Sequence, residues 1–164
     1  MAWFQNRAKP VILHVDDEYI ILSTLKLILE SLGLDVIQAN TGPDGIKIAA
    51  KEKPSLILLD AMMPVMDGYE TCIKLKRDPK TKDIPVIMLT GLDTVKDVEQ
   101  AMAAGANSYL VKPIERNRLK AKLENFIKLS PSILTPNQER LVMTLPKTAM
   151  TINPRSRIKP PHRA

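Results

Sequence analysis

The sequence predicts a doubly wound α/β domain, in which helices cover both faces of a five-stranded parallel sheet. Short aliphatic runs alternate with longer segments of helical periodicity from residue 11 to residue 129. Runs of this length and continuous apolarity are typical of strands that are buried on both faces. Parallel strands need crossover connections, which the helical segments supply. We therefore expect five helices and the strand order 2-1-3-4-5, which is one of the two common orders of such folds.

The five predicted strands follow the β-branched or leucine-rich runs, at residues 11–15, 35–39, 55–60, 84–90 and 107–111. The five predicted helices follow them in turn, at residues 18–32, 43–51, 68–78, 94–104 and 115–129. In the last helix the apolar residues recur at the spacing of one helix face, at Leu119, Leu123, Phe126 and Ile127. Glycine or proline stands at the boundaries, where turns and helix ends are expected, at Gly33, Gly42, Pro54, Pro79, Pro85, Gly91 and Gly105.

The composition of the chain is that of a globular protein with a substantial core. Of 164 residues, 45% are hydrophobic and 26% are charged, which argues against a fibrous or wholly disordered chain. The single cysteine, Cys72, excludes an internal disulfide and suits a reducing compartment. The first ten residues lack the apolar stretch of a signal peptide, and charged residues interrupt every candidate membrane span. We expect a cytoplasmic protein without a membrane span.

The net charge of +6 is concentrated in the last part of the chain. Residues 131–164 contain six basic residues, one acidic residue, six prolines and no glycine. They cannot bury enough apolar surface to form a second domain. We predict an N-terminal extension over residues 1–9, one domain over residues 10–130, and a basic, proline-rich tail that is mostly disordered. Thr135 and Pro136 are typical of a helix start, so the tail is also predicted to contain a short helix near residues 136–145, which docks on the domain or on a partner.

Acidic side chains are predicted to meet where the first and third strands end. Asp16 and Asp17 follow the first strand, and Asp60 ends the third. These two strands are neighbours in the expected order, so the three carboxylates converge. Each close pair of carboxylates repels by roughly 1 to 4 kcal/mol, so the cluster needs either raised pKa values or a divalent cation. Carboxylate oxygens are ligands that Mg²⁺ prefers.

A hydroxyl and an ammonium group are predicted at the same edge of the sheet. Thr90 ends the fourth strand and Lys112 follows the fifth, where both can contact an anion bound to a metal. A metal, a lysine and a threonine together suit a phosphoryl group. The sequence has no glycine-rich phosphate loop, so a nucleotide is not an obvious donor. Aspartate can itself accept a phosphoryl group, and Asp60 is the best-placed candidate.

These residues resemble the motifs of one known family. The segment at 60–68, DAMMPVMDG, is similar to the phosphoacceptor motif of the receiver domains of two-component response regulators. The pair Asp16–Asp17, the segment LTG at 89–91 and the segment GANSYLVKP at 105–113 are similar to that family's other motifs. All four occur in the family's order within residues 10–130. The chain resembles the chemotaxis-type, single-domain regulators, whose fold is flavodoxin-like.

The resemblance implies a role for each residue of the acidic cluster. Asp60 would receive a phosphoryl group from a sensor histidine kinase or a histidine phosphotransfer protein. Asp17, Asp60 and the backbone carbonyl of Met62 would ligate Mg²⁺, and Asp16 would join the metal site by orienting metal-bound water. The protein's own chemistry would be limited to slow autophosphorylation and autodephosphorylation, without an enzymatic output.

The resemblance also implies how a signal leaves the site. Thr90 and Lys112 would contact the phosphoryl oxygens. Movement of Thr90 and rotation of Tyr109 would reshape a face formed by the fourth helix, the fifth strand and the fifth helix, which binds the downstream protein. The bond between Lys112 and Pro113 is a candidate cis peptide by the same analogy.

Three alternatives stay open at the level of the sequence. The chain could be a degenerate receiver that is never phosphorylated. It could be a small DNA-binding transcriptional regulator that acts through its basic tail, although charges without interleaved aromatic residues bind nucleic acid weakly. It could also be a Mg²⁺-dependent hydrolase of phosphate esters, but the sequence shows no further acid or base for that reaction.

Overall fold

A computed structural model of the protein describes residues 9–91 and 94–129. Its strands are β1 (Val11–Val15), β2 (Asp35–Ala39), β3 (Leu56–Asp60), β4 (Val86–Thr90) and β5 (Ser108–Val111). All neighbouring strands are parallel, and their order is β2-β1-β3-β4-β5. The predicted fold class and strand order are therefore confirmed. The predicted tail helix near residues 136–145 lies outside the described residues.

Five helices connect and follow the strands, and most of their bounds lie close to the predicted ones. They are α1 (Tyr19–Ser31), α2 (Gly42–Glu52), α3 (Gly68–Arg77), α4 (Val95–Ala103) and α5 (Arg116–Glu124). Short polar side chains fix three of the helix starts, since each accepts a hydrogen bond from a backbone amide in the first turn. These caps are Thr41 for α2, Asp67 for α3 and Thr94 for α4.

Two predicted boundaries were wrong. The strand predicted to begin at residue 84 begins at Val86, because the Ile84 amide donates to the Thr81 carbonyl in a turn and Pro85 has no amide hydrogen. The last helix was predicted to reach residue 129 but ends at Glu124. Phe126 and Ile127 continue the apolar pattern, and both pack against the core, but both of their amides donate to the Leu123 carbonyl.

The core consists of two layers, one on each face of the sheet, because successive strand residues point to opposite faces. In β3, Leu56 and Leu58 join the layer that also contains residues of α1 and α5. Ile57 and Leu59 join the layer that contains residues of α2, α3 and α4. Cys72 of α3 lies in this second layer, where burial raises the pKa of its thiol to about 11. No helix in the part of the chain that the structure describes is long and apolar enough to cross a membrane.

The loop between β3 and α3 returns tightly onto the end of β3. The Gly68 amide donates to the Ala61 carbonyl at 2.9 Å, and a Cβ atom on Gly68 would lie 2.8 Å from the Ala61 Cα. That Cβ would also overlap the backbone carbonyl of Asp60. Within the loop, Val65 is fully exposed and adopts a φ of 69°, a region that β-branched residues rarely enter.

Replacing Gly68 with alanine should therefore destabilise the protein, because the clash is with backbone that cannot move aside. We expect the free energy of unfolding to fall by about 3 kcal/mol, measured by urea denaturation. Gly33→Ala is the matched control. Gly33 has a φ of 79° but no atom within 4 Å of an added Cβ, so its substitution should cost only about 1 kcal/mol of backbone strain. An equal loss of unfolding free energy in the two variants would contradict the predicted clash at Gly68.

Candidate functional site

Three carboxylates from two neighbouring strands meet at one edge of the sheet. Asp16 and Asp17 directly follow β1, and Asp60 is the last residue of β3. One carboxylate oxygen from each residue lies within 4.8 Å of the others. Asp16 and Asp60 are buried, and Asp17 is half-buried. The adjacent strand ends thus bring these side chains together, as the strand order predicted.

Lys112 reaches into this cluster from the end of β5. Its ammonium Nζ lies 2.9 Å from Asp60 Oδ1 and 3.3 Å from Asp16 Oδ2. The backbone amide of Lys112 donates to the Thr90 carbonyl at 2.7 Å, which ties this residue to the end of β4. The following peptide bond, between Lys112 and Pro113, is cis. The lysine side chain is 7% exposed, so both ion pairs are almost completely removed from water.

Burial and mutual repulsion alter the titration of the cluster. Burial and the neighbouring Asp60 raise the pKa of Asp16 from 3.8 to about 7, against the opposing effect of Lys112. Burial also raises the pKa of Asp60, although Lys112 and a hydrogen bond from the Met62 backbone amide act in the opposite direction. Burial alone would lower the pKa of Lys112, but Asp60 and Asp16 raise it above its ordinary value. Burial thus favours the protonated form of the carboxyl groups, while the carboxylates keep the positive charge on the lysine.

The donor set fits a divalent cation. Oδ1 of Asp17 is buried, and it has no hydrogen-bond partner among the residues that the structure describes. A buried carboxylate oxygen without a partner is costly unless a cation contacts it. The other two carboxylates supply further hard oxygen ligands, which suit Mg²⁺ or Ca²⁺ better than a softer transition metal. One lysine balances only one of the three acids when all of them are ionised.

Thr90, Tyr109 and Met62 are the other residues that the sequence analysis assigned to the site. Thr90 ends β4, is buried, and pairs in register with Val111 of β5. Tyr109 is half-buried in β5, and the Lys122 ammonium lies 5.7 Å from the centre of its ring. Met62 lies two residues after Asp60, and its side chain is exposed. The roles of the Met62 carbonyl, of the Thr90 hydroxyl and of Tyr109 stay predictions.

His14 of β1 lies beside Asp16, and the sequence analysis did not include it in the site. It is fully buried, with Nε2 4.0 Å from Asp16 Oδ2. Burial, and secondarily Lys112, lower its pKa from 6.5 to about 3, so the imidazole is neutral. Neither ring nitrogen has a hydrogen-bond partner within the described ranges. The alternation of β1 would have placed this ring on the same face as Asp16, two residues further on.

The site and the fold together define a class of protein. Residues 12–124 match the model of the response regulator receiver domain, which covers most of the chain. The chain therefore belongs to the response-regulator receiver family. Receiver domains are signalling modules rather than classical enzymes, so the phosphate-ester hydrolase alternative loses its support.

Individual relatives agree with this assignment. Over 124 residues the chain is 39% identical to the DNA-binding dual master transcriptional regulator RpaA of Synechocystis, an alignment that covers 76% of this chain and 52% of RpaA. The chain thus spans about half the length of this curated relative. The chemotaxis protein CheY4 of Vibrio cholerae has a similar structure, with a TM-score of 0.69 and 28% identity over 73% of this chain and 99% of CheY4.

A third relative bears on the acidic cluster. The receiver domain of the sensor histidine kinase PA1611 from Pseudomonas aeruginosa matches with a TM-score of 0.68 and 30% identity, over 72% of this chain and 97% of that domain. Its structure contains a magnesium ion coordinated in the active-site cleft. The acidic cluster of the present chain is accordingly a candidate site for a divalent metal.

Replacing Asp16 with asparagine should stabilise the metal-free protein at alkaline pH. The Asp16 carboxyl has a pKa near 3.8 in the unfolded chain and about 7 in the folded protein. The folded state therefore holds an extra proton between these values, and stability falls as the pH rises through this window. With EDTA present, Asp16→Asn should raise the free energy of unfolding at pH 8 by up to about 4 kcal/mol, and should have little effect at pH 4.

Urea denaturation of both proteins at the two pH values measures this difference. Asp35→Asn, which changes an exposed carboxylate of β2, is the control. It should change the free energy of unfolding by the same small amount at pH 4 and at pH 8. A benefit of Asp16→Asn that is the same at pH 4 and pH 8 would contradict the raised pKa.

Proposed function

We propose that the chain is a phosphorylation-dependent response regulator that accepts a phosphoryl group on Asp60 in a Mg²⁺-dependent reaction. The donor would be a sensor histidine kinase or a histidine phosphotransfer protein. The observation that carries the proposal is the position of Asp60 between the acidic pair and Lys112, whose ammonium lies 2.9 Å from its carboxylate. Membership of the receiver family supports the same reaction.

Asp60 is the best acceptor of the three carboxylates. The Oδ1 atom of Asp16 already accepts a hydrogen bond from the Glu18 amide at 2.9 Å, and its side chain is fully buried. Asp17 has its unpartnered oxygen free for a cation. In the transfer, a carboxylate oxygen of Asp60 forms a bond to phosphorus while the bond from phosphorus to the donor's histidine nitrogen breaks. The electron pair of that bond stays on the departing imidazole.

The metal would be held by Asp17, Asp60 and the Met62 carbonyl, with Asp16 acting through bound water. When bound, Mg²⁺ supplies positive charge that offsets the negative charge of the transferring phosphoryl group. Lys112 contributes the second positive charge. Because its ammonium already contacts Asp60, a small displacement away from Asp16 is enough for it to donate to a phosphoryl oxygen.

The signal would leave through Thr90 and Tyr109. A phosphoryl group adds a charge of about −2 and new hydrogen-bond acceptors beside the end of β4, which gives the Thr90 hydroxyl a contact that the unphosphorylated state lacks. A contact present in only one state is what shifts a conformational equilibrium. Rotation of the Tyr109 ring would take it away from Lys122 and so alter the α4-β5-α5 face, which we propose binds the downstream protein.

The DNA-binding alternative has weaker support. RpaA is described as a DNA-binding regulator, but the alignment with it covers 52% of its length. This similarity supports the receiver function of the aligned region. The basic tail over residues 131–164 lies outside the described residues, so its binding of nucleic acid stays a hypothesis. The cytoplasmic location also stays a prediction.

Incubating the protein with Mg²⁺ and acetyl phosphate should add one phosphoryl group, visible by intact mass spectrometry. The adduct should be absent in Asp60→Asn, which cannot form the acyl phosphate, and in samples treated with EDTA. Asp35→Asn, an exposed carboxylate outside the cluster, should still form it. An adduct that survives both the Asp60 substitution and metal removal would assign the acceptor to another residue.

Replacing Thr90 with alanine should separate phosphorylation from its conformational result. The proposed metal ligands and Lys112 are all retained in this variant. The yield of phosphorylated protein should therefore stay within about twofold of the yield from the unsubstituted protein. The NMR shift changes that phosphorylation causes at Tyr109 and Lys122 should largely disappear. Thr90→Ser keeps the hydroxyl and should restore them, whereas full shift changes in Thr90→Ala would exclude Thr90 as the switch.

A further inference from the structure

Helix α1 has apolar side chains on its solvent face as well as on its core face. Ile21, Leu25 and Ile28 are buried in the core. On the other side, Tyr19 is 81% exposed, Ile20 is 74% exposed and Leu27 is 54% exposed. The last two are seven residues apart, which is two helical turns, so they lie along one line. We call Tyr19, Ile20 and Leu27 the α1 stripe.

Charged side chains do not interrupt the α1 stripe. The only charged residues of α1 are Lys26 and Glu30, which form an exposed ion pair with each other at 3.8 Å. Large aliphatic side chains at such exposure on one line indicate a surface that another element covers.

The described chain ends on the same side of the sheet as the α1 stripe. Phe126, Ile127 and Leu129 pack against the core layer that contains Ile28 and Leu29 of α1. Helix α5 also lies beside α1, since Arg116 Nε donates to Ser31 Oγ at 3.5 Å. The last described residue, Leu129, thus lies on the same side of the sheet as α1.

The segment at residues 136–145 has the sequence of an amphipathic helix. Leu141, Val142 and Leu145 fall on one face at helical spacing, and Arg140 and Met143 fall on the opposite one. The linker at residues 130–135 spans at most roughly 20 Å, and α1 is itself roughly 20 Å long, so the segment can reach the stripe.

The charges favour the same placement. The remaining tail, residues 146–164, contains five basic residues and no acidic one. The carboxylates of Asp16, Asp17 and Asp60 outnumber Lys112 at the edge where α1 begins. This net negative edge attracts the basic end of the tail.

We propose that residues 136–145 form a helix that packs Leu141, Val142 and Leu145 against the α1 stripe. The occupant of the stripe is then the protein's own tail. Tyr19 follows the acidic pair by two residues, so this end of the α1 stripe lies near the acidic cluster. The proposed docking does not rest on the proposed function.

A cysteine placed in the α1 stripe tests the docking. In full-length Leu27→Cys, alkylation by iodoacetamide reports on residue 27, because the natural Cys72 is buried and its pKa is raised to about 11. Adding Leu141→Asp and Leu145→Asp should release the tail and speed alkylation about tenfold, which corresponds to about 1.4 kcal/mol of docking energy. The changes lie in the tail, and circular dichroism verifies that the domain stays folded.

Two controls match this experiment. Met143→Asp introduces one negative charge on the opposite face of the segment and should leave the alkylation rate within about twofold. Lys47→Cys places a cysteine at an exposed position on α2. Iodoacetamide should alkylate it at the same rate whichever tail sequence is present. Equal rates at Leu27→Cys for all tails would overturn the proposal. Protection that increases with protein concentration and ignores the tail substitutions would assign the stripe to a second copy instead, and would also overturn it.

This assay uses neither Mg²⁺ nor a phosphoryl donor. A negative result therefore leaves phosphorylation of Asp60 intact, whereas failure of Asp60 to accept a phosphoryl group leaves the docking measurement unaffected.

Discussion

The buried contact of the Lys112 ammonium with Asp60 and Asp16 is the interaction on which the site depends. Parallel strands in this order bring three carboxylates to one edge, where they repel one another in a medium of low polarity. The lysine offsets part of that repulsion and links the end of β5 to β1 and β3. Removing Lys112 would leave Asp60 without a compensating positive charge, and such a loss usually costs more than the pair itself contributes. The same contact keeps the ammonium beside the proposed acceptor before any donor arrives.

Lys112 also connects the acidic cluster with the part of the domain that contains α5. Its backbone amide donates a hydrogen bond to the Thr90 carbonyl. Tyr109, three residues before Lys112 in the chain, contacts Lys122 of α5. Contacts of neighbouring residues in β4 and β5 thus link the acidic cluster to α5. His14 lies beside Asp16 as a neutral ring. The net charge of the cluster therefore comes from the three acids and the one lysine.

The sequence was sufficient for the fold and for the convergence of the three carboxylates, because both follow from local patterns combined with one topological rule. The aliphatic runs mark the strands, and the strand order decides which strand ends are neighbours. It was not sufficient for the end of α5, since Phe126 and Ile127 keep the apolar spacing beyond Glu124, the last residue of the helix. It also did not reveal that Lys112 would pair with Asp16 and Asp60 themselves. That contact depends on side-chain packing between strands that are far apart in the chain.

The tight return of the β3–α3 loop has a consequence for how related chains can diverge. The loop is fixed at one end by Asp60 and at the other by Gly68, whose backbone lies against Ala61, so adding or deleting a residue would pull α3 out of register with the sheet. The side chains of Met62 and Val65 are exposed, so the core does not limit their size. Side-chain size at these exposed positions can therefore vary without disturbing the backbone that holds Asp60, provided that the loop keeps its length.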